Sequence, residues 1–213
     1  MVWNMFFVGF VWSLFVPTIG VGTMAVQDER AIADSRVPQM LLPAIHSVEV
    51  QDALDLDEPE RTWLESQFRE LDGTWWQARN LPPEKQLQAV ADVEAKLMAR
   101  LKERLNEQQR ARLEQLVIQA QGSRALLRQD VATRLALTAS QKKQLSDLVS
   151  TTVALQNKLD EQRKSGADVS ELQKQWQEQL KLEQESSVRL LDQSQRTTWL
   201  QVIGTPVDLT KAQ

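Results

Sequence analysis

The sequence predicts an all-α protein made of extended helical hairpins, arranged as two tandem units after an N-terminal signal or anchor segment. Three observations support this prediction. From Val48 onward Gln, Glu, Leu, Lys, Arg and Ala dominate, and glycine occurs only at positions 73, 122, 166 and 204. No run of alternating β-branched residues is long enough for a strand. Apolar residues recur instead at spacings of three and four, the period of an amphipathic helix.

The N-terminal segment has the composition of an export signal. No charged residue precedes Asp28, residues 5–16 are almost wholly apolar, and Thr23 and Ala25 are small residues where a signal peptidase would cut. Residues 1–25 are therefore predicted to be a signal peptide. They could instead be an uncleaved anchor, because the apolar run plus residues 19–26 approaches the ~20 residues of a membrane span. A buried helix of a cytosolic domain is the weaker interpretation, since Pro17 interrupts the run.

Export places the rest of the chain in the periplasm or at the periplasmic face of the inner membrane. Residues 26–47 are predicted to form a flexible tether, because they carry two prolines, charges of both signs and no sustained period. His46, the only histidine of the chain, lies at the end of the tether. A histidine in such a position is usually solvated or capping rather than a ligand, so it is assigned no chemical role.

Two breaks divide the remaining sequence into hairpins. Proline is tolerated in the first turn of a helix, so Pro82 and Pro83 predict a helix that runs to about Leu105. Gly166 suits a left-handed helix end and Asp168 the N-cap of the next helix, which predicts an antiparallel pair on either side. The apolar stripes of that pair are Leu145, Leu148, Thr152, Leu155 and Leu159, followed by Leu172, Trp176, Leu180, Leu190 and Leu191.

An internal repeat predicts two helical units of similar length. The block V-x-x-x-L-x-L begins at Val50 and again at Val131, 81 residues later. The block L-[N/D]-x-x-Q-R begins at Leu105 and again at Leu191, 86 residues later. Two matched blocks at nearly one offset indicate a tandem duplication. The predicted units are residues 48–128 and 129–213.

Four copies of the motif L-[T/D/N]-x-x-[Q/E] mark predicted helix starts. The second residue is an N-cap that accepts a first-turn amide N–H, and the preceding leucine packs on the helix. The Gln or Glu at the third helical position (N3) can accept from the N-cap's own N–H and close a capping box. Each cap contributes ~1 kcal/mol. The motif residues are Leu56, Asp57, Glu60, Leu105, Asn106, Gln109, Leu137, Thr138, Gln141, Leu191, Asp192 and Gln195.

The copy that begins at Leu137 is a complete LTXXQ motif, and its recurrence in an exported, glutamine-rich helical chain resembles the Spy/CpxP family of bacterial envelope proteins. The resemblance covers the four motif helix starts. It implies a small periplasmic helical protein, typically a cradle-shaped antiparallel dimer, that acts as an ATP-independent chaperone or stress accessory protein. Either a homodimer or the two halves of one chain would form the cradle. The histidine-rich segments of zinc-binding relatives have no counterpart here, so no metal is carried over.

Adjacent tryptophans suggest a surface patch. Residues next to each other on a helix diverge by about 100°, so Trp75 and Trp76 cannot both face one core. One of them is predicted to join Phe68, Leu71 and Leu81 in an apolar patch that binds a hydrophobic polypeptide or an envelope protein. The competing interpretation, in which these side chains simply fill the core, is favoured by their helical spacing.

Composition excludes most enzymatic chemistry. The absence of cysteine and the single histidine exclude thiol nucleophiles and Cys- or His-rich zinc sites. The glycines form no phosphate-binding loop, and a net charge of −4 does not indicate a nucleic-acid partner. The acidic run at residues 55–60 is more typical of a helix N-terminus than of a cation site.

The predicted function is therefore that of an exported, non-enzymatic polypeptide-binding protein that uses no cofactor and no nucleotide. The alternative is a structural helical protein of the envelope that associates with itself. Contact with a membrane is predicted only through the N-terminal segment, where that segment is not cleaved.

Overall fold

The computed structural model describes residues 36–78 and 80–208, and every regular element in these ranges is helical, with no strand. The all-α prediction is confirmed. The predicted signal or anchor, the first ten residues of the predicted tether and the last five residues of the chain lie outside the described residues.

In the described residues, two short helices precede three longer ones, and this order occurs twice. They are α1 (Leu41–Ile45), α2 (Val48–Ala53), α3 (Glu58–Ala78), α4 (Pro83–Arg104), α5 (Glu107–Gln121), a 3₁₀ helix (Gly122–Leu127), α6 (Gln129–Arg134), α7 (Ala139–Lys164), α8 (Ser170–Arg189) and α9 (Gln193–Ile203). The start of α4 at Pro83 and its end at Arg104 agree with the helix predicted from the proline pair.

The contacts divide the chain into two compact units. Unit 1 holds Gln39–Ala120 and the segment that begins at Ile203, and unit 2 holds Gln121–Val202. The sequence placed the first unit at 48–128 and the second at 129–213. The observed units therefore begin earlier in the chain than predicted, because the short helices before Val48 and before Gln129 pack into the units that follow them.

The predicted tether is the clearest error in that assignment. Leu41–Ile45 is helix α1, and it packs on α2 and α4. Leu41, Leu42 and Ile45 are each at most 2% exposed. Pro43 is compatible with α1 because it lies in the first turn, where its missing N–H has no helical partner to lose. The short apolar run around it is therefore core rather than linker.

Unit 1 is built on α3 packed along α4, with α1 lying across α4. Its core is almost entirely aliphatic, with Leu64, Leu97, Leu101 and Leu113 each at most 2% exposed. Burial of this kind contributes roughly 25 cal/mol per Å² of apolar surface removed from water. After α9, the segment that begins at Ile203 lies on α5, where the Gln119 side-chain amide donates to the carbonyls of Ile203 and Thr205 at 2.6 and 2.9 Å.

Unit 2 is built on α7 packed along α8, and the 3₁₀ helix contacts both. Gly166 ends α7 in the left-handed region with φ of +72°. Asp168 does not occupy the predicted N-cap position, because α8 begins at Ser170 and its N-cap is Val169. The Asp168 carboxylate instead accepts from the hydroxyl and the N–H of Ser170 at 2.6 and 2.9 Å, which holds the pKa of Asp168 below its usual value.

The buried face of α7 also differs from the predicted stripe. Val149 and Gln156 are buried, whereas Leu148 and Leu155, which the leucine spacing selects, are only half-buried. The reason is that α7 is covered by both α8 and the 3₁₀ helix. The buried stripe is therefore shifted by one residue at two positions, to Val149 and Gln156, and it includes polar residues.

Candidate functional site

All four capping boxes are closed. At the complete motif, the Gln141 N–H donates to Thr138 Oγ1 at 3.2 Å, and the Thr138 N–H donates to Gln141 Oε1 at 2.9 Å. The boxes that begin at Asp57, Asn106 and Asp192 have the same pair of bonds, with distances between 2.8 and 3.0 Å. The leucine before each N-cap is buried, at 1–7% exposure. The motif thus fixes each helix start to the core beneath it.

In each unit the two motifs meet through their N3 side chains, a contact that the sequence analysis did not foresee. In unit 2, Gln141 Nε2 donates to Gln195 Oε1 at 2.7 Å, and Gln195 Nε2 lies 3.1 Å from Gln141 Oε1. Gln141 Nε2 also donates to the carbonyl of Leu190 at 2.8 Å. In unit 1, Gln109 Nε2 donates to Glu60 Oε2 at 3.3 Å.

This contact gives the glutamine of the motif a second purpose. A capping box needs only an acceptor at N3, which Glu and Gln both supply. The amide nitrogen of glutamine adds a donor that can bind the neighbouring motif while the oxygen still accepts from its own N-cap. One N3 glutamine in each pair is enough, as Glu60 and Gln109 show. The motif is accordingly a structural joint, and its geometry offers no reacting group.

The predicted patch is only partly at the surface. Trp76 is 57% exposed and Leu81 is 40% exposed, at the end of α3 and in the loop before α4. Trp75 is half-buried against the core of unit 1 and meets Trp76 edge to face, with ring centroids 5.2 Å apart. Leu71 is 4% exposed and therefore belongs to the core, which removes it from the patch.

Phe68 also has a different role from the one predicted. Its ring is half-buried and stacks on the ring of His46, with centroids 3.6 Å apart and planes 17° from parallel. His46 Nε2 lies 3.1 Å from Asp72 Oδ1. The histidine therefore joins the end of α1 to α3. This contact was not apparent from a sequence reading that placed His46 in a tether. The exposed part of the patch is formed by Trp76 and Leu81.

A buried carboxyl group on α4 is a second feature that the sequence reading missed. Glu94 is 7% exposed, and one of its oxygens accepts the N–H of Leu42 in the first turn of α1 at 3.1 Å. Burial raises the pKa of Glu94 to about 7, against the opposing effect of the bonds from the Leu42 and Leu41 amides. Glu94 thus caps α1 from a neighbouring helix. A buried glutamate gives no periodic signal, which is why the sequence does not reveal it.

Unit 2 contains a buried ion pair. Arg124 of the 3₁₀ helix donates through Nε and Nη2 to the two carboxylate oxygens of Glu183 on α8, at 2.9 and 3.2 Å. Arg124 is 9% exposed and Glu183 is 1% exposed. Two parallel bonds of this kind fix orientation as well as distance. The pair holds the 3₁₀ helix against α8.

The remaining chemistry of the described surface is sparse. An open groove on the α3–α4 pair is lined by Trp63, Gln67, Arg100, Glu103 and Arg104. The Arg100 guanidinium bonds both oxygens of Glu70 at 2.6 and 2.8 Å and holds the pKa of that carboxyl below its usual value. Within residues 36–78 and 80–208 no group of His, Asp or Glu side chains has an arrangement that could hold a metal ion.

Across the same described ranges, none of the helices combines the length and the apolar character needed to cross a membrane. No protein-family profile, curated protein or solved structure matches the chain.

Proposed function

We propose that this chain is an exported, non-enzymatic protein that binds hydrophobic polypeptide segments at the Trp76–Leu81 end of the α3–α4 pair. The observation that carries the proposal is the 57% exposure of Trp76 beside an exposed Leu81. Large apolar side chains of this kind are costly to leave in water, and tryptophan is the residue most enriched at binding hot spots. Trp75 supports the exposed ring from below by its edge-to-face contact.

The proposal extends to the location and family character of the protein. We propose export to the periplasm, where the protein acts as an ATP-independent chaperone or stress accessory protein similar to the Spy/CpxP family. The four closed capping boxes and their leucines support this similarity. Subcellular fractionation together with mass spectrometry of the N-terminus tests export and distinguishes a cleaved signal from a retained anchor.

We further propose that the chain is a tandem duplication. Its two units share an order of elements: a short helix, a left-handed turn, a motif-capped long helix, a second long helix and a motif-capped third helix. The repeat also includes residues before Val48, because Ala44 and Ile45 correspond to Ala125 and Leu126 at the offset of 81, and all four are buried.

Aggregation of a model client tests polypeptide binding. The full chain is expected to suppress light scattering by a reduced, unfolding client protein without added nucleotide. Trp76→Gln is expected to weaken the suppression several-fold, because it removes the exposed ring and leaves the core of unit 1 intact. Leu182→Gln is the matched control, since Leu182 is 49% exposed on α8 and lies outside the proposed patch.

Two outcomes would count against the proposal. The first is the absence of suppression at an excess of the protein, and the second is an equal loss in the Trp76→Gln and Leu182→Gln variants. Sedimentation velocity over a range of concentrations distinguishes the alternative. Self-association that Trp76→Gln abolishes, without any effect on the client, would instead indicate a structural protein that assembles through the same patch.

A further inference from the structure

Four central positions of α7 and α8 are polar where the corresponding positions of α3 and α4 are apolar, and the reverse holds at Glu94, which corresponds to Leu180. When the units are aligned on their capping motifs, the pairs are Leu71 and Thr152, Trp75 and Gln156, Leu97 and Glu183, and Leu101 and Ser187. Each of the four side chains of unit 2 is at most 4% exposed. At these four positions the α7–α8 pair therefore offers less apolar surface for burial than the α3–α4 pair.

The buried polar groups do little to hold the two helices together. Thr152 Oγ1 donates to the carbonyl of Leu148 at 3.3 Å, and Gln156 Nε2 donates to the Asp160 carboxylate at 3.0 and 3.1 Å, so both bonds remain within α7. In the part of the chain that the structure describes, three buried side-chain atoms have no hydrogen-bond partner: Ser187 Oγ and Asn157 Oδ1 in the α7–α8 pair, and Gln86 Oε1 on α4. Buried polar atoms without partners disfavour the closed state.

Hydrogen bonds cross between elements near both ends of the pair and at one central point. Gln141 donates to the Leu190 carbonyl at one end, and Arg163 donates to Gln173 Oε1 at 3.2 Å near the connecting loop. In the centre, Arg124 bonds Glu183, and the helix that carries Arg124 packs against both α7 and α8. The Arg124–Glu183 ion pair is thus a buried polar contact that holds the 3₁₀ helix against the middle of α8.

We propose that the α7–α8 pair opens locally in the folded protein, and that the Arg124–Glu183 ion pair is the latch that limits this opening. Opening would hydrate the partnerless Ser187 and Asn157 atoms and expose the apolar side chains of Val149 and Leu159. The inference does not depend on the Trp76–Leu81 patch.

Hydrogen exchange of the full chain, followed by mass spectrometry, tests the opening. After correction for intrinsic rates, the central turns of α7 and α8 are expected to exchange at least ~10-fold faster than those of α3 and α4, because local opening sets the exchange rate. Equal or stronger protection of α7 and α8 would overturn the proposal.

The latch is tested by Glu183→Gln. Removal of one member of a buried ion pair leaves the other charge without compensation, so exchange in the 3₁₀ helix, α7 and α8 is expected to rise at least ~100-fold, with α3 and α4 unchanged. Glu70→Gln is the matched control. Glu70 also bonds an arginine, but its side chain is 60% exposed, and a change below ~3-fold is expected. A uniform rise throughout the chain would mean global unfolding and would contradict a latch.

A second variant tests the buried polar positions of α7 and α8 without weakening the fold. Thr152→Val combined with Ser187→Ala keeps the side-chain shapes and removes two buried hydroxyls, so exchange in α7 and α8 is expected to slow by roughly tenfold. Unchanged or faster exchange in this variant would show that the polar positions do not promote opening. This measurement remains decisive if Glu183→Gln does not fold.

Discussion

At the residue scale, the surroundings of Glu94 have two opposing effects on the ionisation of its carboxyl group. Its carboxyl group accepts amide N–H bonds at the start of α1, which favours the ionised form, while its burial disfavours that form. Burial is the larger effect, and the pKa is raised from 4.5 to about 7. The folded protein therefore holds a proton on Glu94 over a pH range in which the unfolded chain releases it.

The direction of the resulting pH dependence follows from linkage. Because the folded-state pKa lies above the unfolded value, the stability that Glu94 contributes is fully present below pH ~4.5 and is lost as the pH rises through 7. Glu94→Gln keeps an oxygen acceptor for α1 and cannot ionise. At pH 8 this variant is expected to be more stable than the parent chain by on the order of 2–3 kcal/mol, with little difference at pH 4.5.

Urea denaturation at pH 4.5 and pH 8 measures this difference. Glu103→Gln, which changes an exposed carboxyl on the same helix, is the control and is expected to differ by less than ~0.5 kcal/mol at both values. A Glu94→Gln variant with the same pH profile as the parent would show that Glu94 is already ionised and satisfied at neutral pH.

At the scale of helices, the paired N3 side chains join two helix starts in each unit. Gln141 and Gln195 bond each other through oxygen and nitrogen, whereas unit 1 uses Glu60 as acceptor and Gln109 as donor. The two arrangements share one requirement, which is that at least one member of the pair supplies an amide N–H. A pair of carboxylates would bring two acceptors of like charge together.

Substitution at these positions tests that requirement. Gln141→Glu alone reproduces the pairing of unit 1 and is expected to cost about 1 kcal/mol through the lost bond to the Leu190 carbonyl. Gln141→Glu combined with Gln195→Glu is expected to cost roughly 3 kcal/mol or more at pH 8. The loss should shrink as the pH falls, because proximity raises one carboxyl pKa and protonation restores a donor.

Chemical denaturation at pH 8 and pH 4 is the measurement, and Glu60→Gln is the control. That change gives unit 1 the Gln–Gln pair of unit 2, so it is expected to be neutral within ~0.5 kcal/mol. An additive, pH-independent cost in the doubly substituted variant would contradict a direct contact between the two motifs.

Elements whose signal is local could be predicted from the sequence. The four helix starts depend on a cap residue and its N3 partner, and the end of α7 depends on a glycine that adopts positive φ. Helix α1 could not be predicted in this way, because it is five residues long, contains Pro43 and is ordered by packing on α4 rather than by its own propensity. The recurrence of its Ala44–Ile45 pair at 125–126 was the available signal.

The candidate site shows the same limit. The angle between adjacent residues predicts that Trp75 and Trp76 diverge, but the choice between them depends on which side of α3 faces α4. The buried residues in the middle of the α7–α8 pair were still harder to predict from the sequence. Gln156, Glu183 and Ser187 occupy buried positions that periodicity assigns to apolar residues. Tertiary contacts, including the Arg124–Glu183 pair, determine where these side chains lie.

At the scale of the whole molecule, the two units repeat one strained turn. Asp55 and Ala136 follow α2 and α6 with φ of +53° and +50°, and both precede the leucine of a capping motif. In each turn the leucine N–H bonds the carbonyl five residues earlier, Leu56 to Gln51 at 3.2 Å and Leu137 to Ala132 at 3.0 Å. The turn directs the chain into the long helix that follows. Asp55 and Ala136 therefore both adopt positive φ, although neither is glycine.

Glycine at these two positions tests whether the turns are equivalent. Alanine pays about 1–2 kcal/mol in the left-handed region, so Ala136→Gly is expected to stabilise the chain by ~0.5–1 kcal/mol after the entropy of the unfolded state is included. Asp55→Gly is expected to gain less, because aspartate tolerates this region better. Ala53→Gly, within α2, should destabilise by ~1 kcal/mol. Thermal denaturation measures all three, and destabilisation by Ala136→Gly would contradict the left-handed turn in unit 2.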